Sequence, residues 1–249
     1  GPAGETLVRI ASAQSCSPEH TRSAGRGGMG AVLGAKRLKA VVVRGEEKPA
    51  YFDPEGFRKA VREANEWIKA NSVAMSQLGT AGGMPGAERV GDLPVQNWRL
   101  GNWDGVQEVS GQRLAETIFV RHSHCFACPI GCGKVVAITE GPYAGVRGHG
   151  PEYETTAGFG GNLTIGSLEA VVRLNDLCNR LGLDTISTSA VIAFAMEAWE
   201  KGLLGPRDTD GLELTWGNAE AAMELVRRIA YREGVGALLG EGVRRAAAQ

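Results

Sequence analysis

Hydrophobic and polar positions in the second half of the chain recur with the 3.6-residue period of amphipathic helices. The clearest case begins after Ser167, a residue type that caps helices, and ends at Gly182. Its apolar positions share one face and point to a core: Leu168, Val171, Val172, Leu174, Leu177, Cys178 and Leu181. Because Cys178 lies on this apolar face, it is predicted to be a packed thiol rather than a ligand.

Further helices are predicted towards the end of the sequence. A turn over 183–187 precedes an apolar helix that runs to Lys201. Asn218 is the predicted cap of a helix over 219–232, and another helix is predicted over 237–248. This part of the chain therefore reads as a mainly helical domain.

Strand patterns are short and confined to the first 140 residues. The runs at 6–10 and 38–44 contain residues suited to a pleated surface. A third run, at 134–139, alternates as a strand does. The strand content predicted from the pattern is therefore small.

One helix and one long loop complete the pattern of the first half. Asp53 can cap a helix with Pro54 at its first position, and the apolar residues that follow predict a surface helix with one buried face. A brief helix is predicted over 112–119. The stretch 79–111 is rich in Gly, Pro and Asn, and a loop of this length inside a domain is usually functional or covering.

Composition excludes several classes of protein. A hydrophobic share of 43% and a charged share of 22% are ordinary for a soluble globular chain. The net charge of −1 removes the electrostatic case for binding nucleic acid or an anionic membrane. No apolar run reaches the roughly 18 residues that a membrane span needs. The sequence opens with GPAGE, without an initiator Met or an export leader, so we expect a fragment of a longer protein.

Cysteine and glycine usage add two expectations. Five cysteines, three of them clustered, fit a reducing compartment better than a disulfide framework, so a cytoplasmic location is predicted. The 36 glycines are about twice the ordinary share. Such a number indicates many turns and close backbone approaches, as around a large cofactor.

The strongest chemical signal is the segment RHSHCFACPIGCGK, in which Cys125, Cys128 and Cys132 have the spacing C-x2-C-x3-C. Pro129 disfavours the α conformation at Cys128, and neighbouring glycines let the backbone approach a bulky group. Iron–sulfur clusters are held by local runs of cysteines plus a distant ligand. Structural zinc usually requires a second pair of ligands, which the sequence lacks. The spacing favours a cluster, with zinc and inert packed thiols as alternatives.

A second signal is the glycine-rich segment 22–36, which also carries Arg22, Arg26 and Lys36. Glycines in such a run can present backbone N–H groups to an anion, and basic side chains add contacts to phosphate. The segment matches neither the Walker loop nor the dinucleotide fingerprint. A merely tight turn is the alternative, and the basic residues tilt the interpretation towards anion binding.

A third signal is the pair Glu152 and Glu154 around Tyr153, in a region of otherwise small and apolar residues. Solvated surface acids would explain the pair without any function. A carboxylate in a glycine-lined cavity could instead act as a proton donor or acceptor.

Several motifs together resemble the aldehyde ferredoxin oxidoreductase family of tungsten–pterin enzymes. They are, in order, GPAGE, AGRGGMGAVLGAK with LKAVVV, LPVQNW, CFACPIGC, GPEYET with FGGN, CNRLGLDTIS, and TWGN with REGVG. The resemblance implies an α+β fold in which a mostly helical domain follows a short β and glycine-rich remnant. Residues 1–46 would be the end of the β-type pterin-binding domain. Residues 47–249 would be a mainly α-helical domain, incomplete at its C-terminus.

The resemblance also implies cofactors and site residues. Cys125, Cys128 and Cys132 would hold a 4Fe-4S cluster, and Glu154 beside Tyr153 would be the catalytic carboxylate, with Glu152 the second choice. A tungsten (or molybdenum) bis-pyranopterin would be the second cofactor, and the resemblance allows a Mg²⁺ ion bridging its phosphates. The pterin-binding residues would be Arg22, Ala24, Gly25, Arg26, Gly27, Gly28, Asn179, Gly182, Leu183 and Asp184.

The sequence departs from the family pattern in two respects. Asn179 stands where the family motif begins with Asp, so that contact would become an uncharged hydrogen bond. The fourth cluster ligand belongs to the family's C-terminal part, and neither Cys16 nor Cys178 occupies its position. We therefore expect this polypeptide alone to be inactive and the intact protein to be active.

The implied reaction oxidises a small aldehyde to a carboxylic acid and passes electrons to ferredoxin or another electron-transfer protein. A homodimer is compatible with the resemblance, and neither nucleic acid nor membrane is an expected partner. Two alternatives remain: the catalytic subunit of a related aromatic-acyl-CoA reductase, and a non-catalytic module that binds zinc or an iron–sulfur cluster.

Overall fold

The computed structural model describes residues 1–15, 17 and 19–249. It contains twelve α-helices within these residues: α1 (Pro2–Glu5), α2 (Met29–Ala35), α3 (Pro54–Asn71), α4 (Val73–Leu78), α5 (Met84–Arg89), α6 (Gly111–Thr117), α7 (Tyr153–Thr155), α8 (Leu168–Leu181), α9 (Thr185–Glu200), α10 (Ala219–Tyr231), α11 (Val235–Leu239) and α12 (Val243–Ala246). Further helical turns are 3-10 helices at Thr80–Gly83 and Asp104–Val109 and a π-helix at Thr156–Asn162.

Two small antiparallel sheets accompany the helices. Strands β1 (Ala13–Gln14) and β2 (Ser23–Ala24) form a two-stranded pair. Strands β3 (Phe119–Ser123), β4 (Gly133–Ala137) and β5 (Arg147–His149) form a three-stranded sheet with β4 in the centre. Helices dominate and the sheets are small, so the predicted α+β class is confirmed.

The main core lies where α8, α9 and α10 meet the π-helix. Phe159, Leu174, Ile192 and Leu225 are fully buried there. Helix α9 is apolar on all sides, which is typical of a helix enclosed by neighbours. These packed helices support the loops that carry the candidate site.

A second, smaller core fastens the three-stranded sheet to this base. Leu114 of α6, Val136 of β4 and Val172 of α8 pack together in it. The loop between β3 and β4 is therefore anchored at both of its ends.

Helix ends follow the predicted caps. The side chains of Asp53, Ser167 and Asn218 accept backbone N–H groups at the starts of α3, α8 and α10. Gly182 ends α8 in the left-handed conformation, with φ of 78°. The turn predicted over 183–187 is shorter than expected, because Asp184 caps α9 by accepting from Ser187 N at 2.8 Å.

The structure corrects both N-terminal strand predictions. Residues 6–10 form turns, and Leu7 adopts a positive φ of 59°. Residues 38–44 lack a strand partner within the described residues, and Val42 is 92% exposed. A run of β-branched residues suits a pleated surface, but a strand forms only where a second strand is available for pairing.

Two helix predictions and one loop prediction also need correction. No residue of α3 is buried, so the predicted buried face of this helix is wrong for the described chain. The stretch 79–111 carries helical turns, and its apolar residues, such as Met84 and Leu93, enter the core. The predicted helix over 237–248 is divided, because Gly242 takes a positive φ of 82° between α11 and α12.

The N-terminal segment lies against the loop that joins α8 to α9. Ser12 N donates to Gly182 O at 2.8 Å, and Asp184 N donates to Ile10 O at 3.1 Å. Two stretches separated by about 170 residues are thereby held side by side. Among the described residues, no helix combines the length and apolar character that crossing a membrane requires.

Candidate metal and cofactor site

The three clustered cysteines occupy the loop between β3 and β4, here called the cysteine loop (residues 124–132). Cys125 is exposed, whereas Cys128 and Cys132 are half-buried. Cys128 N donates to Cys125 O at 3.1 Å, so the loop turns back on itself after the first thiol. Ala127 and Gly131 both have positive φ, which keeps the turns tight.

Two histidines hold the backbone of the cysteine loop. His122 Nδ1 donates to Gly131 O, and His124 Nδ1 donates to Cys128 O, each at 3.1 Å. Both histidines precede the cysteines in the segment RHSHCFACPIGCGK. Their hydrogen bonds stabilise the loop conformation from its N-terminal side.

The N-terminal residues 19–22 run beside strand β3 and the cysteine loop. The Glu19 carboxylate accepts from Arg121 and from Arg147. His20 Nδ1 lies 2.6 Å from the Ser123 hydroxyl oxygen. The segment that leads into the predicted anion-binding glycines is therefore fixed to the strand that leads into the cysteines.

Arg22 sits where these two segments meet. Its guanidinium donates to Glu152 Oε1 at 3.1 Å and to His149 Nε2 at 2.5 Å, and Cys125 is close enough to influence its charge. Burial opposes the charge, but the interaction with Cys125 and the charge of Glu152 raise the pKa of Arg22. Gly133 leaves room for this side chain, because a Cβ there would lie 2.9 Å from an Arg22 Nη. Arg22, predicted as a pterin contact, thus also reaches the first cysteine.

Glu152 is the carboxylate that joins this cluster of polar groups. It also accepts from the Thr80 hydroxyl at 2.5 Å. Burial raises its pKa, but contacts with His149, Thr80 and Arg22 outweigh that effect and lower the pKa of Glu152 to about 2. Because His149 Nε2 accepts a hydrogen bond from Arg22, this nitrogen cannot also donate to Glu152. Arg22 and Thr80 are therefore the donors that keep Glu152 ionised.

This network predicts a component of acid sensitivity. The pKa of Glu152 is about 2 in the folded chain and near 4.5 when unperturbed. Its contribution to stability is therefore complete above about pH 4.5 and is lost as the pH falls towards 2. We expect Glu152→Gln to lower the free energy of unfolding at pH 7 and to flatten its dependence on pH between these values. Urea unfolding from pH 2 to 7 measures this, and an unchanged slope would contradict the network.

Glu154 and Tyr153, the predicted catalytic pair, lie on α7 next to Glu152. The Glu154 side chain is exposed, whereas Tyr153 is half-buried against the main core. Tyr153 N donates to the Thr80 hydroxyl at 2.8 Å. Burial, together with the charges of Asp92 and Glu154, raises the pKa of the Tyr153 phenol. Glu152 and Glu154 therefore differ clearly in environment.

The predicted pterin-binding residues come from two parts of the chain that meet at Gly25. A Cβ at Gly25 would lie 2.7 Å from Asp184 Oδ1, so only glycine allows this approach. Ala24 lies in β2, paired with Ala13. Gly27 and Gly28 both have positive φ.

The remaining members of the predicted set are less closely placed. Arg26 is exposed, and Leu183 is buried next to Gly182. Asn179 and Gly182 line a cavity of about 1250 Å³, which His149 also borders. The glycines at 25, 27 and 28 do not line that cavity. The structure thus brings Gly25 and Asp184 together, while Arg26 is exposed and Asn179 faces the cavity.

The residues at the cysteine loop fit a bound inorganic group. His149 Nδ1 is buried and lacks a partner among the described atoms, which leaves a donor for something further. Burial raises the pKa of the Cys132 thiol, and the charge of Arg22 acts in the opposite direction. Within residues 1–15, 17 and 19–249, no three His, Cys, Asp or Glu side chains converge on one ion.

The other two cysteines are not part of this group. Cys178 is fully buried in the main core, and burial raises the pKa of its thiol. The predicted packed thiol is therefore confirmed. Cys16 lies outside the described residues.

Sequence reasoning missed Thr80, His149 and Lys134 as members of the site. Thr80 and His149 contact Glu152 from elements far apart in the chain. Lys134 follows the cysteines immediately, and a cation so close to three thiols was an available signal.

Two family profiles match the chain. The profile described as "Aldehyde ferredoxin oxidoreductase, N-terminal domain" matches residues 1–45. The profile described as "Aldehyde ferredoxin oxidoreductase, domains 2 & 3" matches residues 59–249.

Individual relatives agree with the profiles. The tungsten-containing aldehyde ferredoxin oxidoreductase of Pyrococcus furiosus is 39% identical over 246 residues, which are 97% of this chain and 40% of the relative. The corresponding protein of Thermococcus kodakarensis is 38% identical over 246 residues, again 97% of this chain and 40% of the relative. The aliphatic sulfonate oxidoreductase, WOR-like subunit, of Pyrococcus furiosus is 35% identical over 251 residues, covering 99% of this chain and 39% of the relative.

A solved structure shares the fold. The active site complex BamBC of benzoyl coenzyme A reductase, in complex with 1,5-dienoyl-CoA, superposes with a TM-score of 0.80 at 28% identity. The match covers 100% of this chain and 38% of that chain. The chain spans about 40% of the length of the curated relatives it matches. The curated relatives are oxidoreductases, and the matches confirm the resemblance seen in the motifs. The chain therefore belongs to the aldehyde ferredoxin oxidoreductase family.

Proposed function

We propose that this chain is part of a tungsten (or molybdenum) pterin oxidoreductase that oxidises an aldehyde to a carboxylic acid. The balanced reaction converts an aldehyde and water into the acid, two protons and two electrons. The electrons would leave through a 4Fe-4S cluster to ferredoxin or a similar carrier. Residues 1–46 would complete the pterin-binding domain, and residues 47–249 would form the helical domain with the cluster loop.

The observation that carries this proposal is the position of Arg22. It begins the glycine segment that meets Asp184, and it lies close enough to Cys125 for the two side chains to interact electrostatically. One side chain therefore joins the candidate pterin site to the candidate cluster site. Transfer of electrons between two centres requires such proximity, whereas a module that binds only zinc does not.

Each candidate centre has its own set of residues. Cys125, Cys128 and Cys132 would hold the cluster, with a fourth ligand from elsewhere in the full protein. The backbone of Gly25, Gly27 and Gly28, with Arg26 and a Mg²⁺ ion, would bind the pterin phosphates. When bound, the metal–pterin group accepts the two electrons of the reaction, and the protein supplies positioning and electrostatics.

Glu154 is the carboxylate proposed to move the proton. Glu152 is a poor candidate, because Arg22 and Thr80 keep it ionised with a pKa of about 2. The Glu154 carboxylate lies two residues away and is exposed, so a substrate can reach it. Tyr153, half-buried beside it, would orient the substrate from the apolar side.

We expect Glu154→Gln in the full-length protein to reduce kcat for aldehyde oxidation by roughly 10²–10⁴-fold, the usual contribution of a general acid or base. Tungsten and iron content should stay at the wild-type level. Glu140→Gln, which removes another exposed carboxylate, is the matched control and should leave kcat unchanged. Wild-type kcat in Glu154→Gln would remove this residue from the mechanism.

A second candidate function is supported by the benzoyl coenzyme A reductase neighbour, whose structure superposes along the whole chain. The same pair of centres would then run in the reductive direction on an aromatic acyl-CoA. Assays of the full-length protein with an aldehyde plus viologen, and with an aromatic acyl-CoA plus a low-potential reductant, separate the two. Aldehyde-dependent viologen reduction supports the first function, and acyl-CoA consumption without it supports the second.

A further inference from the structure

Lys134 is a buried cation directly after the cysteine loop. It is only 3% exposed, and its side chain lies between the cysteine loop and α4. Its ammonium donates to Ser76 O at 2.6 Å, to Cys132 O at 3.1 Å and to Gly131 O at 3.4 Å, and it lies 3.4 Å from His122 Nδ1, which itself donates to Gly131 O. Three acceptors match the three protons of an ammonium, whereas a neutral amine could serve only two.

The hydrogen-bond partners of this ammonium are backbone carbonyl groups rather than carboxylates. Across the part of the chain that the structure describes, no carboxylate forms an ion pair with Lys134. The carbonyl oxygens satisfy the hydrogen bonds of the buried cation but carry no net charge, so no direct ion pair offsets its charge among the described residues.

Close backbone packing between α4 and the cysteine loop fixes the position of Lys134. Gly79, just after α4, has a positive φ of 68°, and a Cβ there would lie 2.8 Å from Cys132 O. The end of α4 therefore packs directly on the third cysteine. Lys134 crosses this contact and binds both sides of it, from Ser76 in α4 to Cys132 in the loop.

We propose that Lys134 is a positioning residue for the iron–sulfur cluster, holding the cysteine loop against α4 and placing a fixed positive charge beside the cluster. This inference rests on the proposed function, since it takes the three cysteines as cluster ligands. One-electron reduction adds one negative charge to the cluster and its thiolates. A cation held in a weakly solvated position favours the reduced form, and so raises the reduction potential.

The test uses the full-length protein, prepared anaerobically, with dithionite titration of the cluster followed by EPR. Lys134→Met keeps the length of the side chain and removes the charge; we expect its midpoint potential to be lower than that of the wild type. Lys134→Arg keeps the charge and should stay closer to the wild-type potential. Lys69→Met removes an exposed cation from neighbouring α3, where solvent screens it, and should change nothing.

Iron content and the melting temperature of the iron-free protein accompany each titration. Wild-type iron content and potential in Lys134→Met would overturn the inference. Iron loss in Lys134→Met supports the holding role if Lys134→Arg restores iron binding, and counts against it if Lys134→Arg does not. A wild-type protein without iron and sulfide would instead contradict the proposed function, so the two failures are distinguishable.

Discussion

Cys128→Ser in the full-length protein is expected to abolish the iron–sulfur EPR signal and to remove most of the bound iron. Cys128 lies in the middle of the cysteine loop, half-buried and fixed by the hydrogen bond from its N–H to Cys125 O. A serine hydroxyl is a poor substitute for a thiolate ligand of iron. Iron and labile-sulfide analysis, with EPR of the reduced protein, measures the effect.

Cys178→Ser is the matched control for this experiment. The Cys178 thiol is fully buried between helices of the main core, where burial raises its pKa and keeps it protonated. A hydroxyl there should lower the melting temperature while leaving the iron content per folded chain unchanged. Retention of the EPR signal in Cys128→Ser, or its loss in Cys178→Ser alone, would refute the assignment of the cysteine loop.

Gly25→Val is expected to reduce the tungsten (or molybdenum) and pterin content of the full-length protein by roughly tenfold or more. A Cβ at this position would lie 2.7 Å from Asp184 Oδ1, and overpacking of this kind costs about 1–3 kcal/mol. Asp184 cannot yield easily, because it caps α9 through Ser187. The glycine segment must therefore move away from the α8–α9 loop.

Metal analysis by mass spectrometry and fluorescence of the oxidised pterin measure this loss. Gly83→Ala is the control, since an added Cβ there meets nothing within 4 Å and its φ is not positive. The iron content of Gly25→Val should remain near the wild-type value, because its cysteine loop is intact. Full tungsten and pterin content in Gly25→Val would show that the contact between Gly25 and Asp184 does not shape the pterin site.

Local signals in the sequence predicted the helices well. Asp53, Ser167 and Asn218 cap helices where the sequence placed them, because a cap depends only on the next three residues. The strand predicted over 38–44 failed for the opposite reason. Strand formation requires a partner elsewhere in the chain, and a run of valines carries no information about that partner.

The candidate site shows the same division between local and distant signals. The spacing of the three cysteines is local, and it marked the cysteine loop at once. Arg22 and His149 are 127 residues apart, so their contact could not be read from either segment. The difference in environment between Glu152 and Glu154 also depends on distant groups, since Arg22 and Thr80 contact Glu152.

The most direct test of the central claim is metal and labile-sulfide analysis, with EPR, of the anaerobically prepared full-length protein. The proposal predicts about four iron and four sulfide per chain, as in a 4Fe-4S cluster, together with about one tungsten or molybdenum. The EPR spectrum of the reduced protein should contain an iron–sulfur signal that Cys128→Ser eliminates. Zinc alone, or iron without tungsten or molybdenum, would contradict the pairing of a cluster with a metal–pterin centre.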